Sequence, residues 1–197
     1  MTELDSKVAE VFAGKVVRKD LVRQVKVGAN VPTYVLEYLL GKYCATDDPA
    51  AVEAGLRLVN TYLAEHIIRP DEAMKAQSRV KERGQQSYID KVLVRLDGTK
   101  YWAEVVNFGQ RFVHLPDHFV RKYERLLEGG VWAQVDIEFR EDEETDGRPR
   151  PFFITDLKPI QLAAFSLDDY VASRSQLTTD EWLDLLIRSI GFEPAHF

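Results

Sequence analysis

Cations are the side chains with the clearest chemical potential in this sequence, and they concentrate first in residues 15–26. This segment holds five Lys or Arg residues and a single acid, Asp20. Apolar residues recur between them at helical spacing, which predicts a helix with its cations on the outer face. Such a face is either simply solvated or contacts phosphates, where each cation gains by releasing counterions. The candidate phosphate-binding residues are Lys15, Arg18, Lys19, Arg23 and Lys26.

Two further groups of candidates follow along the chain. The first is purely cationic and lies on a predicted helix, whereas the second lies on predicted strands and mixes cations with aromatic rings. Single-stranded nucleic acids stack their bases on rings placed beside cations, provided that the rings point outward. The competing interpretation puts most of these rings in the core, where large apolar side chains usually lie. The two groups are Lys75, Arg79, Lys81 and Arg83, then Lys91, Lys100, Tyr101, Trp102, Phe108, Arg111 and Phe112.

The remaining reactive side chains predict neither a catalytic set nor a metal site. Cys44 and His66 lie on different predicted helices with no oxyanion motif, so we expect Cys44 to be a buried structural thiol. His114 and His118 flank Pro116, so they do not share a regular helical face that would hold zinc. We therefore predict no catalytic residue, no metal ligand and no cofactor in this chain.

Residues 88–160 have the pattern of five short strands with one helix set between the third and the fourth. Residues 131–140 alternate strictly between apolar and polar side chains, as in a strand with one face in a core. The order β-β-β-α-β-β is that of the OB-fold barrel, whose second and third strands and 1–2 and 4–5 loops commonly bind oligonucleotides. The strands are predicted over 88–96, 101–107, 111–115, 131–140 and 152–157, and the helix over 116–128.

Helices are predicted on both sides of this barrel. Asn30 and Asp47 or Asp48 are expected as N-caps in the preceding part, and Thr178 with Glu181 predicts a capping box at the final helix. The predicted fold is therefore α+β, with a helical subdomain at 1–84, an OB-like barrel at 87–160, and a linker and C-terminal helix at 161–197. The helices are predicted over 1–13, 15–26, 30–43, 48–66, 69–84 and 178–190, with a link at 161–176.

The one low-complexity segment is EDEETDGRPRP, at residues 141–151. Its composition predicts a mobile loop. Arg148 and Arg150 lie among five acids there, so pairing within the loop is expected to neutralise them. This loop is better suited to contact with a neighbouring protein than with phosphate.

Composition sets the class of protein. The chain has 197 residues, of which 45% are hydrophobic and 29% charged, as in an ordinary globular domain. It contains one cysteine, no leader pattern and no apolar run of the roughly 18 residues that a membrane span needs. We therefore expect a cytoplasmic protein. The net charge of −6 argues against a uniformly basic binder, but residues 141–197 carry most of the acidic surplus, which leaves room for a local basic surface.

Four strings in the sequence resemble the N-terminal region of the BrxL family, Lon-related AAA+ proteins of the BREX phage-defence systems. Together they extend over essentially the whole chain and occur in the family's order. They are FAGKVVRKDLVRQVKVGANVPTYVLEYLLGKYCATDD at 12–48, AEHIIRPDEA at 64–73, ITDLKPIQ at 154–161 and TTDEWLDLLIRSIGFEP at 178–194.

The resemblance implies a longer protein, with an AAA+ ATPase core that uses ATP and Mg²⁺, a Lon-like domain, and assembly into a homo-oligomeric ring. This sequence contains no G-x-x-x-x-G-K-[ST] phosphate loop and no matching protease residues, so we predict the N-terminal domain without enzymatic activity. By analogy with helicase rings, that domain would form a collar around DNA. The favoured hypothesis is therefore DNA engagement and ring assembly. The alternative is a protein-interaction module that recruits phage proteins or other BREX components, with no role at a membrane.

Overall fold

The computed structural model describes residues 3–12, 19–26, 30–44, 48–141, 144–145, 147–160 and 167–192. The predictions for Lys15 and Arg18 lie outside these residues, as does part of the prediction for the loop at 141–151. Within the described part, no helix is long and apolar enough to cross a membrane.

Five strands pair edge to edge until the sheet closes on itself. They are β1 Gln85–Asp97, β2 Lys100–Val105, β3 Gln110–His114, β4 Val131–Phe139 and β7 Phe152–Pro159, and their order around the sheet is β1-β2-β3-β7-β4. All neighbours are antiparallel except β3 and β7, which run parallel. The five predicted strands and the helix between the third and fourth are all present, with ends shifted by no more than three residues. The helix is α5 Asp117–Leu127, and two short strands, β5 Glu144–Thr145 and β6 Arg148–Pro149, lie between β4 and β7 in the chain.

The interior of this barrel follows directly from the alternation in the strands. In β4 the residues Val131, Ala133, Val135 and Ile137 are buried, while those between them are half-buried. Phe119 and Leu127 enter the same core from α5, and Ala76 and Val80 enter it from the helix before β1. Burial of such side chains is the main stabilising contribution to the barrel.

The helical part before the barrel has a core of its own. Val35, Leu39 and Leu40 pack against Val59 and Leu63, and Cys44 is buried among them, as predicted. Ile89 and Ile160, from the barrel, complete this second core and so attach the two parts. The elements are α1 Glu3–Val11, a 3₁₀ helix Lys19–Gln24, α2 Thr33–Tyr43, α3 Pro49–His66 and α4 Ala73–Arg83.

Several helix ends differ from the prediction. Asn30 is not an N-cap, because α2 begins at Thr33 directly after Pro32, whose ring fixes φ near the helical value. Asp48 does cap α3, since its carboxylate accepts from the Ala51 N–H at 2.9 Å. Residues 15–26, the basic segment, were predicted as a helix to Lys26. Their described part is a 3₁₀ helix that ends at Gln24. Residues 69–72 precede α4 as a turn.

The C-terminal part contains one helix more than predicted. Residues 167–174, assigned to a link from the sequence, form α6 Leu167–Arg174, and α7 Thr179–Ser189 follows. The predicted capping box is confirmed: Glu181 N–H donates to Thr178, and Thr178 N–H donates to the Glu181 carboxylate. That carboxylate also accepts from Lys7 Nζ at 2.6 Å, which ties α7 to α1.

Glu181→Gln is expected to lower the melting temperature by a few degrees at pH 7, and the difference between the two proteins should shrink as the pH falls below about 4.3. The hydrogen bond from Lys7, followed by the bond from Thr178 N–H, lowers the pKa of Glu181. A carboxyl with a depressed folded-state pKa stabilises the fold above its unfolded pKa of about 4.3 and loses that contribution as the pH falls. Thermal unfolding of both proteins from pH 7 to pH 3 measures this. A difference that stays constant over this pH range would assign the effect to side-chain shape instead of charge.

Candidate nucleic-acid interface

Four cations from three segments of the chain meet in one groove where the helical part adjoins the barrel. The groove has a volume of about 250 Å³ and an apolar floor formed by Leu63, Ala64 and Ile67. One acidic side chain, Glu72, lies among the cations. The cations that line it are Lys26, Arg69, Lys75 and Arg79, and we call this feature the basic groove.

Local structure explains why these side chains converge. The Lys26 N–H donates to Asn60 Oδ1 at 2.7 Å, which holds the end of the basic segment against α3. A turn closed by the bond from Glu72 N–H to the Arg69 carbonyl at 2.9 Å then brings the chain from α3 into α4. Lys75 and Arg79 are four residues apart on α4, so they lie on the same face.

The groove is strongly positive. Lys75 Nζ donates to Glu72 at 3.0 Å, and this bond, with Lys75, Arg69 and Arg79 nearby, lowers the pKa of Glu72. The Glu72 carboxylate is therefore charged at neutral pH and balances one of the four cations. Three positive charges are left at a concave surface, the electrostatic arrangement that suits a phosphate group.

A second feature lies on the outer face of β2, β3 and β7, where four rings form a continuous row. The ring centroids of Phe112 and Trp102 are 6.0 Å apart, those of Trp102 and His114 are 4.5 Å apart, and those of His114 and Phe153 are 4.0 Å apart with parallel planes. We call this the aromatic row. The side chains alternate along β2 and β3, so Ala103 and Val113 face the barrel core instead.

Arginines cover both ends of the aromatic row. Arg150 Cζ lies 4.3 Å from the Trp102 centroid and 4.2 Å from the Phe112 centroid, and Arg140 Cζ lies 4.1 Å from that of Phe153. Four of the five acids expected to pair with Arg150 have side chains outside the described part of the loop, so that pairing stays a prediction. Among the described residues, Arg150 lies 3.9 Å from Asp97 Oδ2 and stacks on Trp102. This contact could not be read from the sequence, because Arg150 and Trp102 are 48 positions apart.

Two predicted aromatic contacts need correction. Phe108 is fully buried in the barrel core, because the turn after β2 folds it inward between Tyr88 and Phe152. Trp102 does point away from the barrel, yet it is only 2% exposed since Arg150 covers it. Of the predicted rings, Phe112 and Tyr101 are the ones that reach solvent.

The other predicted cations are spread over the surface. Lys100 lines an open groove of about 390 Å³ together with Tyr101 and with three rings of the aromatic row, Trp102, His114 and Phe153. Arg111 lies 3.9 Å from Glu104, which already pairs with Arg95. The other described candidates lie outside both features: Lys81 over the Phe139 ring, Arg83 beside Gln86, Lys91 opposite Trp132 and Arg23 exposed on the 3₁₀ helix. The side chain of Lys19 is outside the described part, so its role stays a prediction.

Sequence reasoning missed two residues that matter for these surfaces. Arg69 was not a candidate, although its position after a predicted helix end could have signalled a turn that presents it. Asp90 was not singled out either, but it is fully buried and accepts hydrogen bonds from the backbone of Lys91, Asn107 and Phe108. Burial raises the pKa of Asp90 even though these donors favour its charged form. An acid that directly follows Tyr88 and Ile89 inside a predicted strand was the available signal.

Neither feature has the composition of a metal centre. Among the residues that the structure describes, no three His, Cys, Asp or Glu side chains gather closely enough to hold a metal ion. His118 packs on Phe119 of α5, while His114 stacks on Phe153 in the aromatic row, so the two histidines pack against different rings.

Comparison with known proteins points to one family along the whole chain. Residues 10–139 match the family model described as BREX system Lon protease-like protein BrxL N-terminal. Residues 152–197 match the model described as Lon-like protease BrxL-like, ATPase domain. The barrel strand β7 and helices α6 and α7 therefore fall in the second match.

Two curated relatives are both described as Lon-like protease BrxL. The chain is 46% identical over 196 residues to the Lon-like protease BrxL of Bacillus cereus (strain H3081.97), an alignment that covers 98% of this chain and 29% of the relative. It is 44% identical over 198 residues to the Lon-like protease BrxL of Escherichia coli O9:H4 (strain HS), covering 98% and 28%. The chain thus spans less than a third of the length of the curated relatives that it matches.

Proposed function

The chain belongs to the BrxL family of Lon-like BREX proteins, and on that premise we propose that this N-terminal region engages DNA through its phosphate backbone in phage defence. The observation that carries the proposal is the basic groove. Lys26 is far from Lys75 and Arg79 in sequence, yet the fold brings all three to one concave surface with Arg69. A site of this kind positions a nucleic acid without reading its bases.

The strand order supports a fold suited to that role. Five strands closed in the order β1-β2-β3-β7-β4, with a parallel β3–β7 pair and a helix between β3 and β4, are the arrangement that we assign to an OB-like barrel. OB barrels are frequent carriers of nucleic-acid sites. Because fold alone does not establish function, the proposal depends on the groove and not on this assignment.

We further propose that the region assembles as part of a homo-oligomeric ring. Residues 152–197 match an ATPase domain, so the barrel connects directly to a segment of the kind that would use ATP and Mg²⁺ in the longer relatives. A ring would present several basic grooves to one DNA molecule. Several modest contacts then give high avidity, although a single groove binds weakly.

A second candidate function is recruitment of a protein, and one observation favours it. Helices α6 and α7 expose a set of large apolar side chains, and exposed apolar patches commonly mark protein-binding surfaces. Phage proteins and other BREX components are the candidate partners. The exposed residues are Leu167, Val171, Leu183, Leu186 and Ile190.

The test measures fluorescence anisotropy of a labelled duplex with the chain at about 50 and 200 mM salt. Lys75→Glu/Arg79→Glu reverses two groove cations. Arg121→Glu/Arg125→Glu is the control: these two exposed cations are also four residues apart in sequence, on either side of the kink of α5 at Tyr123. We expect the groove variant to lose about tenfold or more in affinity and its salt slope to fall by about two, since each phosphate contact contributes about 0.9 to the slope. The control should lose much less.

Two results would contradict the proposal. Equal losses in the groove variant and the α5 control would mean that only net charge matters. Duplex binding by the wild-type chain that does not weaken with salt would exclude backbone contact. Circular dichroism of each variant checks that the fold is retained, because Arg79 also contacts Tyr88.

A further inference from the structure

The surface of the aromatic row is occupied at the position where a stacked ligand would sit. Trp102 belongs to neither of the core clusters described above, yet it is only 2% exposed. The group that covers it is the planar guanidinium of Arg150, which contacts the Phe112 ring at the same time. Arg150 lies between β6 and β7, so this cover comes from the loop after β4 and not from a barrel strand.

Arg150 is poorly satisfied in this position. Only 8% of its side chain is exposed, and the described carboxylate that it pairs with, Asp97 Oδ2, is 3.9 Å away, beyond hydrogen-bond distance. Its buried Nη1 has no hydrogen-bond partner within the part of the chain that the structure describes. A buried charged donor without an acceptor is unfavourable. Stacking on Trp102 and Phe112 is therefore the main interaction that holds it there.

We propose that Arg150 is a removable cap over a base-stacking site formed by Trp102 and Phe112, and that the ligand of this site is an unpaired base of a single-stranded nucleic acid. A base is planar and stacks on aromatic rings as a guanidinium does, but it carries no charge that has to be paired in that position. The displaced Arg150 then pairs with a neighbouring phosphate, where its donors find acceptors. The bases of a duplex are already stacked on each other, so a duplex does not open the site.

The inference rests on the proposed DNA engagement and adds a second kind of contact to it. The basic groove would bind phosphates of any strand, whereas the capped site would respond only to unpaired bases. The two can be separated, because Arg150 and the groove cations lie in different surfaces. Duplex binding reports on the groove, and the gain of single-strand binding on uncapping reports on the aromatic site.

The experiment compares a labelled oligothymidine of about 12 nucleotides with a duplex of the same length, by anisotropy at fixed salt. Arg150→Ala should raise the affinity for the single strand about 5- to 50-fold, because a base then stacks on the rings without first displacing the stacked guanidinium. Duplex affinity should not rise. Arg150→Ala/Phe112→Leu should lose the gain, since Phe112 is part of the platform and is exposed enough to be replaced.

Two further variants make the result decisive. Arg148→Ala removes the same charge from an exposed position on the neighbouring strand β6, and it should give no gain. Arg150→Lys keeps the charge without the planar group and should also raise single-strand affinity, which provides a second reading if Arg150→Ala does not fold. Unchanged or weaker single-strand binding by folded Arg150 variants, or an equal gain with Arg148→Ala, would overturn the inference. Loss of duplex binding in the groove variants bears only on the proposed function.

Discussion

Asp90→Asn is expected to lower the free energy of unfolding by about 2–4 kcal/mol, among the largest effects of any single substitution in the barrel. Asp90 is fully buried, and its Oδ1 accepts from the backbone of Lys91 at 2.6 Å and of Asn107 at 3.1 Å. Its Oδ2 accepts from the Phe108 N–H at 2.8 Å. These bonds fix the turn between β2 and β3.

An amide cannot reproduce this arrangement. In either orientation, the NH₂ of an asparagine would face at least one backbone N–H, placing donor against donor in a buried site. The neutral side chain does avoid the cost of burying a charge, which is the cause that raises the pKa of Asp90. The loss of charge-assisted bonds and the orphaned N–H outweigh that gain, because the Asp90 side chain is fully buried and no water replaces it as acceptor there.

Urea denaturation at pH 7 measures the effect, and Asp71→Asn provides the control. Asp71 is exposed in the turn before α4, so the same change of chemistry should alter stability by no more than about 0.5 kcal/mol. The consequence extends to the aromatic row, since β2 and β3 carry Trp102 and Phe112 and are joined by this turn. A loss below about 1 kcal/mol would show that the turn is held by Gln77, which donates to the Phe108 carbonyl at 2.8 Å, and not by Asp90.

The barrel could be predicted because its information is local. The strict alternation in 131–139 and the turn at Gly98 are properties of neighbouring residues, and the fold uses them as they stand. Helix α6 was missed because its first turn, Leu167 followed by two aspartates, lacks a strong apolar stripe, and five of its eight residues are exposed. The cap of α2 was misplaced since Asn30 has the right chemistry, but Pro32 sets the start of the helix.

The candidate site was only partly predictable, because it depends on long-range convergence. Lys26, Lys75 and Arg79 were recognised as cations one by one, but their meeting in one groove follows from the packing of α3 and α4. Nothing local separates Lys75, which lines the groove, from Lys81, which lies over the Phe139 ring. Likewise, the cover of Trp102 by Arg150 exists only after the loop before β7 has returned to β2.

Gly55→Ala is expected to destabilise the helical part by about 2–3 kcal/mol, although alanine is the better helix former. Gly55 lies in α3 where α2 ends, and an added Cβ would overlap the Tyr43 carbonyl oxygen and come within 2.8 Å of Cys44 Sγ. The first of these is a backbone atom at the end of α2, so it cannot turn away as a flexible side chain would. The two helices must move apart, and close packing is lost between them.

Gly41→Ala is the matched control, because Gly41 also lies in a helix but nothing stands within 4 Å of its added Cβ. That variant should gain up to about 1 kcal/mol from helix propensity alone. Opposite signs in thermal or urea unfolding would establish that α2 and α3 are locked through Gly55. The groove would respond too, since α3 carries Asn60, the anchor of Lys26. If both variants were equally stabilised, the helices would have room to separate, and α3 would not fix the position of Lys26.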